Sequence, residues 1–316
     1  MSNNLKKSVL VTGATGFIGR HLVQSLFSQG KYNIICLVRN PVKVKALLPQ
    51  SVRFIYGDIS KVFSLNELMG QRIDIIFHCA GYVSNKNPFL LHKVNVLGTE
   101  EICRLALKLN VERMIYLSSV AVVSGNKEVP LTEELPYAAT NTYGESKIIA
   151  EKKVLEYRQK GLRAVILRPC MVYGEDEPHM LKLLLFLLKY RLLPLLDGGR
   201  NKFHLVYVKN IVEAIIFALD NDNFLKGSFF VADREILSTK KVFTTLAQAI
   251  GSKEPFHLPD FIRPLILNIP NIGKKLRFFI KDRVYSIDRI KSLGFIPPYP
   301  TEESLVRSAK TLYSRQ

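Results

Sequence analysis

Tryptophan is absent from this chain of 316 residues, and cysteine is scarce, with four. Cys36, Cys79, Cys103 and Cys170 form no Cys-x-x-Cys pair, and most lie among Val, Ile and Leu. That pattern reads as buried free thiols in a reducing compartment, and no metal site is expected. Long apolar runs are missing as well. The leucine-rich stretch 180–196 has its longest uninterrupted run from Leu183 to Leu188, and Pro264, Pro270 and Gly273 break up the stretch 261–280. Neither reaches the roughly 18 residues that a membrane span needs. The opening "MSNNLKKSVLVTG" has no apolar run before its first glycine, so it does not read as a signal peptide, and a cytoplasmic location is expected. There is no internal repeat and no low-complexity segment. One further absence matters below: no Asp or Glu occurs from Arg20 to Gly57.

The chain does carry positive charge, with 45 Lys and Arg against 27 Asp and Glu, a net +18. Such an excess attracts nucleic acid, anionic membrane surfaces or anionic ligands. No nucleic-acid motif and no arginine-rich tract is present, so nucleic acid is not an expected partner. Lys182 and Lys189 are seven apart and share a polar stripe on a helix. The stretches 180–196 and 261–280 therefore read either as helices lining an apolar pocket or as basic amphipathic segments that rest on a membrane. Residues 271–316 hold ten Lys or Arg against four Asp or Glu, a face for a membrane or partner or simply a solvated surface.

The 47% hydrophobic content is enough for a real core. Short apolar runs at 8–13, 33–39, 52–58, 74–81, 113–119 and 163–169 alternate with helical patterns, one of them at 18–30 ending in Gly30. Continuously apolar strands between helices define an α/β protein with a doubly wound parallel sheet covered on both faces. "TGATGFIG" leaves the first strand and opens the first helix, with Gly13, Gly16 and Gly19 three residues apart. Backbone N–H groups there cradle a pyrophosphate. An NAD site usually carries an acid about 20 residues beyond the glycines. Here Arg39 stands 20 residues past Gly19, and a guanidinium suits a 2′-phosphate. NADP(H) is the expected cofactor, with NAD(H) as the alternative. "TYGESK" places Tyr143 and Lys147 four apart, on one face of a helix.

Taken together these residues resemble the extended branch of the short-chain dehydrogenase/reductase superfamily, the NAD-dependent epimerases and dehydratases with dihydroflavonol reductase and 3β-hydroxysteroid dehydrogenase. The matching segments are "TGATGFIG", "GDI", "HCAG" (78–81), "VNVLGT" (94–99), "YLSSVAVVSG" (116–125), "YGESK" (143–147), "LRPCMVYG" (167–174) and "LVYVKNIVEAI" (205–215), in order. The resemblance implies a Rossmann fold and a catalytic set of Ser119, Tyr143 and Lys147, with Ser119 24 residues before Tyr143. It implies cofactor contacts from Gly13, Thr15, Gly16, Phe17, Ile18, Gly19, Arg39, Asp58 and Ile59. Further cofactor contacts come from Cys79, Ala80, Gly81, Tyr143, Lys147, Pro169 and Val172, and substrate contacts from Tyr82, Val83, Ser119 and Met171. Tyrosine titrates near 10, and a close ammonium lowers it by roughly one to three units, so Lys147 is expected to favour the Tyr143 phenolate. Asn95 reads as structural, tying a helix to a strand.

Several reactions share this branch. Dehydratases of the family carry Asp-Glu after the catalytic hydroxyl residue, where this chain has Val120 and Ala121. Val123 and Ser124 replace the Tyr-Gly of many members. "YVKN" (207–210) and the leucine-rich 180–196 look more like the dihydroflavonol reductase and hydroxysteroid dehydrogenase side. The expected activity is NAD(P)(H)-dependent hydride transfer with a small, apolar hydroxyl or carbonyl substrate. Against that apolar reading, Lys182, Lys189, Arg191, Arg200 and Lys202 could serve a diphosphate, as in nucleotide-sugar enzymes. The alternatives are a nucleotide-sugar epimerase with tightly bound NAD and a non-catalytic dinucleotide-binding scaffold. The expected division is a Rossmann domain at 1–169 and a smaller, mainly helical substrate-binding part at 170–316, with about 206–232 returning to the sheet. A homodimer and a peripheral association with a membrane surface are compatible with the sequence.

Overall fold

The computed structural model describes residues 6–178, 180–258, 265, 268 and 281–314. Apart from Leu265 and Asn268, the amphipathic reading of 261–280 lies outside the described residues.

The first compact unit comprises residues 1–126, 133–169 and 212–230. Its strands are β1 (Lys7–Thr12), β2 (Tyr32–Val38), β3 (Arg53–Tyr56), β4 (Ile75–His78), β5 (Arg113–Leu117) and β6 (Ala164–Pro169). The seven-stranded sheet runs, edge to edge, from Ser228–Val231 through β6, β5, β4, β1 and β2 to β3. The pairs β1–β2, β1–β4, β2–β3, β4–β5 and β5–β6 are parallel. Parallel strands need crossovers, which the helices α1 (Phe17–Gln29), α2 (Pro41–Leu47), α3 (Gly98–Lys108) and α4 (Thr142–Gln159) help to supply. Gly30, in the left-handed conformation at φ 63°, ends α1 as the sequence pattern predicts.

Side chains alternate across the sheet. Leu10, Ile35, Ile76, Met114, Tyr116 and Ile166 join one core with Ile102, Cys103 and Ala106 of α3 and Ala150, Val154 and Tyr157 of α4. Val9 and Val11 belong to the opposite face and are also fully buried, with α1 against β1 and β2. Each fully buried aliphatic side chain contributes on the order of 1.5–3 kcal/mol. The chain order reverses between β1 and β4. A crevice outside the carboxyl ends of the strands forms at such a switch point, and the expected site residues of this unit cluster there.

The second unit comprises 127–132, 170–211 and 231–316. Its elements include β7 (Met171–Tyr173) paired with Leu205–Tyr207, and the helices α5 (Met180–Lys189), α6 (Thr239–Ala249) and α7 (Thr301–Tyr313). The chain passes into this unit after Pro169, and 212–230 belongs to the first unit. Asp233 organises this unit from a buried position. It accepts from Tyr173 Oη (2.8 Å), Tyr207 N (2.9 Å) and Asn210 Nδ2 (2.7 Å).

Candidate active site

The site begins where β1 ends. Gly13 turns the chain at φ 69°, and Gly16 N donates to Gly13 O at 2.9 Å before α1 opens at Phe17. A Cβ on Gly13 would lie 2.6 Å from Ala80 N, and one on Gly19 would lie 2.1 Å from Gly13 O. Those distances leave no room for a side chain, so glycine is what lets the loop, the helix and the chain after β4 close together. Gly16 is exposed, and Thr15, Phe17 and Ile18 are half-buried around it. The first turn of α1 has no acidic residue, and its N–H groups lack intrahelical partners. That is a cradle for an anion.

At the end of β2, Arg39 is exposed. Asp58, just past β3, accepts from Ser60 N (2.9 Å) and Ser60 Oγ (2.8 Å). Burial raises the Asp58 carboxyl, but these bonds and the charges of Arg39 and Lys61 outweigh it and hold the group below its usual value. Ile59 is 5% exposed, with its side chain against Gly98.

The chain after β4 is held from beneath by a polar relay. Thr12 Oγ1 and His78 Nδ1 lie 2.7 Å apart, and His78 Nε2 is 3.0 Å from Thr99 Oγ1, which donates to Asn95 O at 2.6 Å. Thr99 spends its proton on Asn95, so His78 Nε2 donates and Nδ1 accepts. Burial drives His78 down to about 3, and it stays neutral. Ala80 N donates to Thr12 Oγ1 at 3.3 Å. Cys79 and Ala80 are half-buried and Gly81 is exposed, while burial pushes the Cys79 thiol up to about 12 and keeps it an unreactive thiol. Asn95 is fully buried, accepting from Tyr82 N (2.7 Å) and donating to Tyr82 O (2.9 Å) and Ser146 Oγ (2.9 Å). It is structural, as expected, and it ties this chain to α4. Tyr82 is half-buried and Val83 is 62% exposed.

Ser119 follows β5 and caps a short 3-10 turn, accepting from Ala121 N at 3.1 Å. Its hydroxyl acts on the phenol of Tyr143, favouring the phenolate. Two asparagines hold the start of α4. Asn141 accepts from Gly144 N (2.9 Å), and Asn85 Oδ1 accepts from both Tyr143 N and Thr142 Oγ1, each at 2.9 Å. Gly144 lets the helix approach this turn, because a Cβ there would lie 2.8 Å from Ala121 O. Lys147, one turn on and 4% exposed, donates to Leu117 O (2.8 Å) and Tyr116 Oη (3.3 Å), with its ammonium 4.8 Å from the Tyr116 ring centre.

The electrostatics differ from the expected pairing. Burial raises Tyr143 above its ordinary value, and the Ser119 hydrogen bond, which favours the phenolate, does not overcome it. Burial lowers Lys147 to about 8, partly opposed by the charge of Glu151. The ammonium is turned to β5 and is itself weakened, so desolvation governs Tyr143. Between the folded value near 8 and the ordinary 10.5, the unfolded chain binds the extra proton, so stability rises with pH across that window. Chemical denaturation of the ligand-free protein is expected to show about 3 kcal/mol of such a rise, absent in Lys147→Met.

Pro169 ends β6 and is buried. Met171 and Val172 belong to β7 of the second unit, half-buried and paired with Leu205 and Val206. Among the described residues, no group of three metal-ligating side chains is present. Sequence reasoning missed Tyr116, Asn85, Gly144 and Glu151. Only Glu151 had a signal, four residues beyond Lys147 on the same helix face.

A glycine cradle that a Cβ would crowd, an exposed arginine at the end of β2 and a buried Lys one helical turn from Tyr143 fit a nicotinamide dinucleotide, and together they define a dinucleotide-binding protein of Rossmann type. The NAD dependent epimerase/dehydratase family model matches residues 9–232, and the chain belongs to that family. It is 30% identical to the UDP-glucose 4-epimerase of Vibrio cholerae, over 97% of this chain and 95% of that one. It is also 30% identical to human short-chain dehydrogenase/reductase family 42E member 1, over 79% of this chain and 69% of that protein. Human sterol-4-alpha-carboxylate 3-dehydrogenase, decarboxylating, is 26% identical over 83% of this chain and 72% of its own. Among solved structures, a UDP-glucose 4-epimerase from Thermotoga maritima shares the fold, with TM-score 0.81 at 22% identity, covering 98% of this chain and 99% of that one.

Proposed function

We propose that the protein is a nicotinamide-dependent oxidoreductase that interconverts a secondary hydroxyl and its carbonyl, with NADP(H) as the preferred dinucleotide. One observation carries the reading: Ser119 stands where its hydroxyl acts on the Tyr143 phenol, and the buried Lys147 lies one helical turn on. The dinucleotide supplies the hydride donor or acceptor when bound. Ser119 orients the substrate oxygen toward Tyr143. Tyr143 gives its proton to that oxygen in reduction or takes it in oxidation. Lys147 would hydrogen-bond the nicotinamide ribose, and the cradle at Gly13, Gly16 and Gly19 would take the pyrophosphate. Asn85 and Asn141 hold the start of α4, which fixes the Tyr143 backbone. An apolar substrate is supported by the likeness to a sterol dehydrogenase and to a ketoreductase of a farnesylated quinoline oxide from Stigmatella aurantiaca.

NADP(H) preference is supported by Arg39 at the end of β2, with no acid from Arg20 to Gly57 to meet a free ribose 2′-hydroxyl. Arg39→Ala is expected to weaken NADPH binding about 10- to 100-fold, the value of a charge-assisted hydrogen bond, and to leave NADH within about threefold. Titration of both nucleotides by fluorescence reads this, and equal losses for the two would discard the preference.

A second reading, nucleotide-sugar epimerisation, is favoured by the epimerase relative that matches nearly the full length. It uses the same proton transfer at Tyr143. Nucleotide released from denatured protein separates the readings. Stoichiometric NAD supports the epimerase, whereas purified protein that turns over added NADPH with a ketone supports the oxidoreductase.

A further inference from the structure

The helix α5 of the second unit is apolar on nearly every side. Leu181, Leu184, Leu185 and Leu188 are buried in that unit, at 1–4% exposure. A surface helix ordinarily presents charged and polar residues on its opposite face. Here the opposite face presents Leu183, Phe186 and Tyr190, at 49%, 48% and 55% exposure, followed by Leu192 at 58%. Phe186 and Tyr190 pack on each other with ring centres 4.8 Å apart, so two aromatic rings form a single exposed apolar patch.

The border of the patch is cationic. At about 100° per residue, Lys182 and Lys189 fall side by side along one edge of the apolar arc. Both are exposed, and the Lys189 ammonium lies 5.6 Å from the Tyr190 ring centre. Two residues past the helix, Arg191 is also exposed and sits at φ 56°, where glycine is usual. From 178 to 196 there is no Asp or Glu. Exposed aromatic and aliphatic side chains bordered on their own helix by lysines match the interface of a bilayer with anionic headgroups, where rings enter the headgroup boundary and lysines remain among the phosphates. The chain's net +18 acts in the same direction at long range. No helix among the described residues is long and apolar enough to cross a membrane, so the contact is peripheral.

We propose that the exposed face of α5, Phe186 and Tyr190 bordered by Lys182 and Lys189, docks the protein on the surface of an anionic lipid bilayer. Sedimentation with vesicles tests it, using phosphatidylcholine alone and phosphatidylcholine with about 30% phosphatidylglycerol. The wild-type protein is expected to pellet with the anionic vesicles, to be released by high salt, and to stay in solution with phosphatidylcholine alone. Lys182→Gln/Lys189→Gln is expected to weaken binding about 30-fold, and Leu183→Ser/Phe186→Ser about tenfold or more. Thermal melting and NADPH binding, read in parallel, are expected to be unchanged in both variants. Equal binding to both vesicle types, or equal binding by variants and wild type, overturns the proposal. A dimer in solution that Leu183→Ser/Phe186→Ser dissociates assigns the face to a second copy and also overturns it. So does a large fall in melting temperature for that variant, which places the face inside the folded chain.

Discussion

Tyr143→Phe is expected to lower kcat about 100- to 10,000-fold, the usual contribution of a positioned acid or base, and to leave dinucleotide affinity within about threefold. The asymmetry follows from geometry. The phenol oxygen faces Ser119, while the Tyr143 backbone and α4 are held by Asn85, Asn141 and the Gly144 contact, none of which uses that oxygen. The pH dependence has a definite sign. Burial holds Tyr143 above 10, so at neutral pH the group is a phenol. In the proposed mechanism carbonyl reduction uses that phenol as its acid, so its kcat at saturating dinucleotide is expected to be flat from neutral pH to about 9. Oxidation needs the phenolate, so its rate is expected to climb about tenfold per pH unit over the same range. Ser119→Ala removes a bond that favours the phenolate, and the alkaline rise in oxidation is expected to move to still higher pH. Turnover of Tyr143→Phe within threefold of wild type would show that the proton moves through another group.

The glycine cradle was legible in the sequence because backbone crowding forces the residue type. A Cβ at Gly13 or Gly19 collides with main chain, and no neighbour can adjust to spare it. The parallel sheet was legible because strands buried on both faces carry continuous apolar runs, as Val9–Val11 in β1 and Ala164–Leu167 in β6 show. Tyr143 and Lys147 were legible as a pair by their helical spacing, but their electrostatics were not. The direction of the Tyr143 shift depends on how far water is excluded and on where Lys147 points, and the ammonium is turned to Leu117 O. Asn85 was hidden for a related reason: it caps a helix 58 residues later, and no local pattern announces such a contact. The apolar segment 180–196 read equally as a pocket wall or a surface helix, and only the exposures of Leu183 and Phe186 separate its two faces.

Arg168→Met is expected to cost about 3–5 kcal/mol of stability, because it strands a buried carboxylate. Glu151, on α4 one turn beyond Lys147, has no exposed surface. Arg168 on β6 holds it with two nitrogens, Nη2 at 2.7 Å from Oε2 and Nε at 2.9 Å from Oε1. Tyr137 donates to Oε2 at 2.8 Å. Removing the guanidinium leaves that phenol and the more distant Lys147 to balance the charge. The double variant Glu151→Leu/Arg168→Met removes both charges together and is expected to recover most of the loss, since an apolar pair of similar volume often replaces a buried ion pair at little cost. Equilibrium unfolding in urea of the two single variants and the double measures the coupling. The same carboxylate also acts on the site, because its charge raises Lys147 against the effect of burial. Glu151→Gln is therefore expected to move the Lys147 titration below 8, and with it the start of the pH window in which stability rises. Nicotinamide-dinucleotide binding followed against pH would then lose its ammonium partner at a lower pH than in the wild type. A variant that lost stability without moving either titration would confine Glu151 to holding α4 on β6.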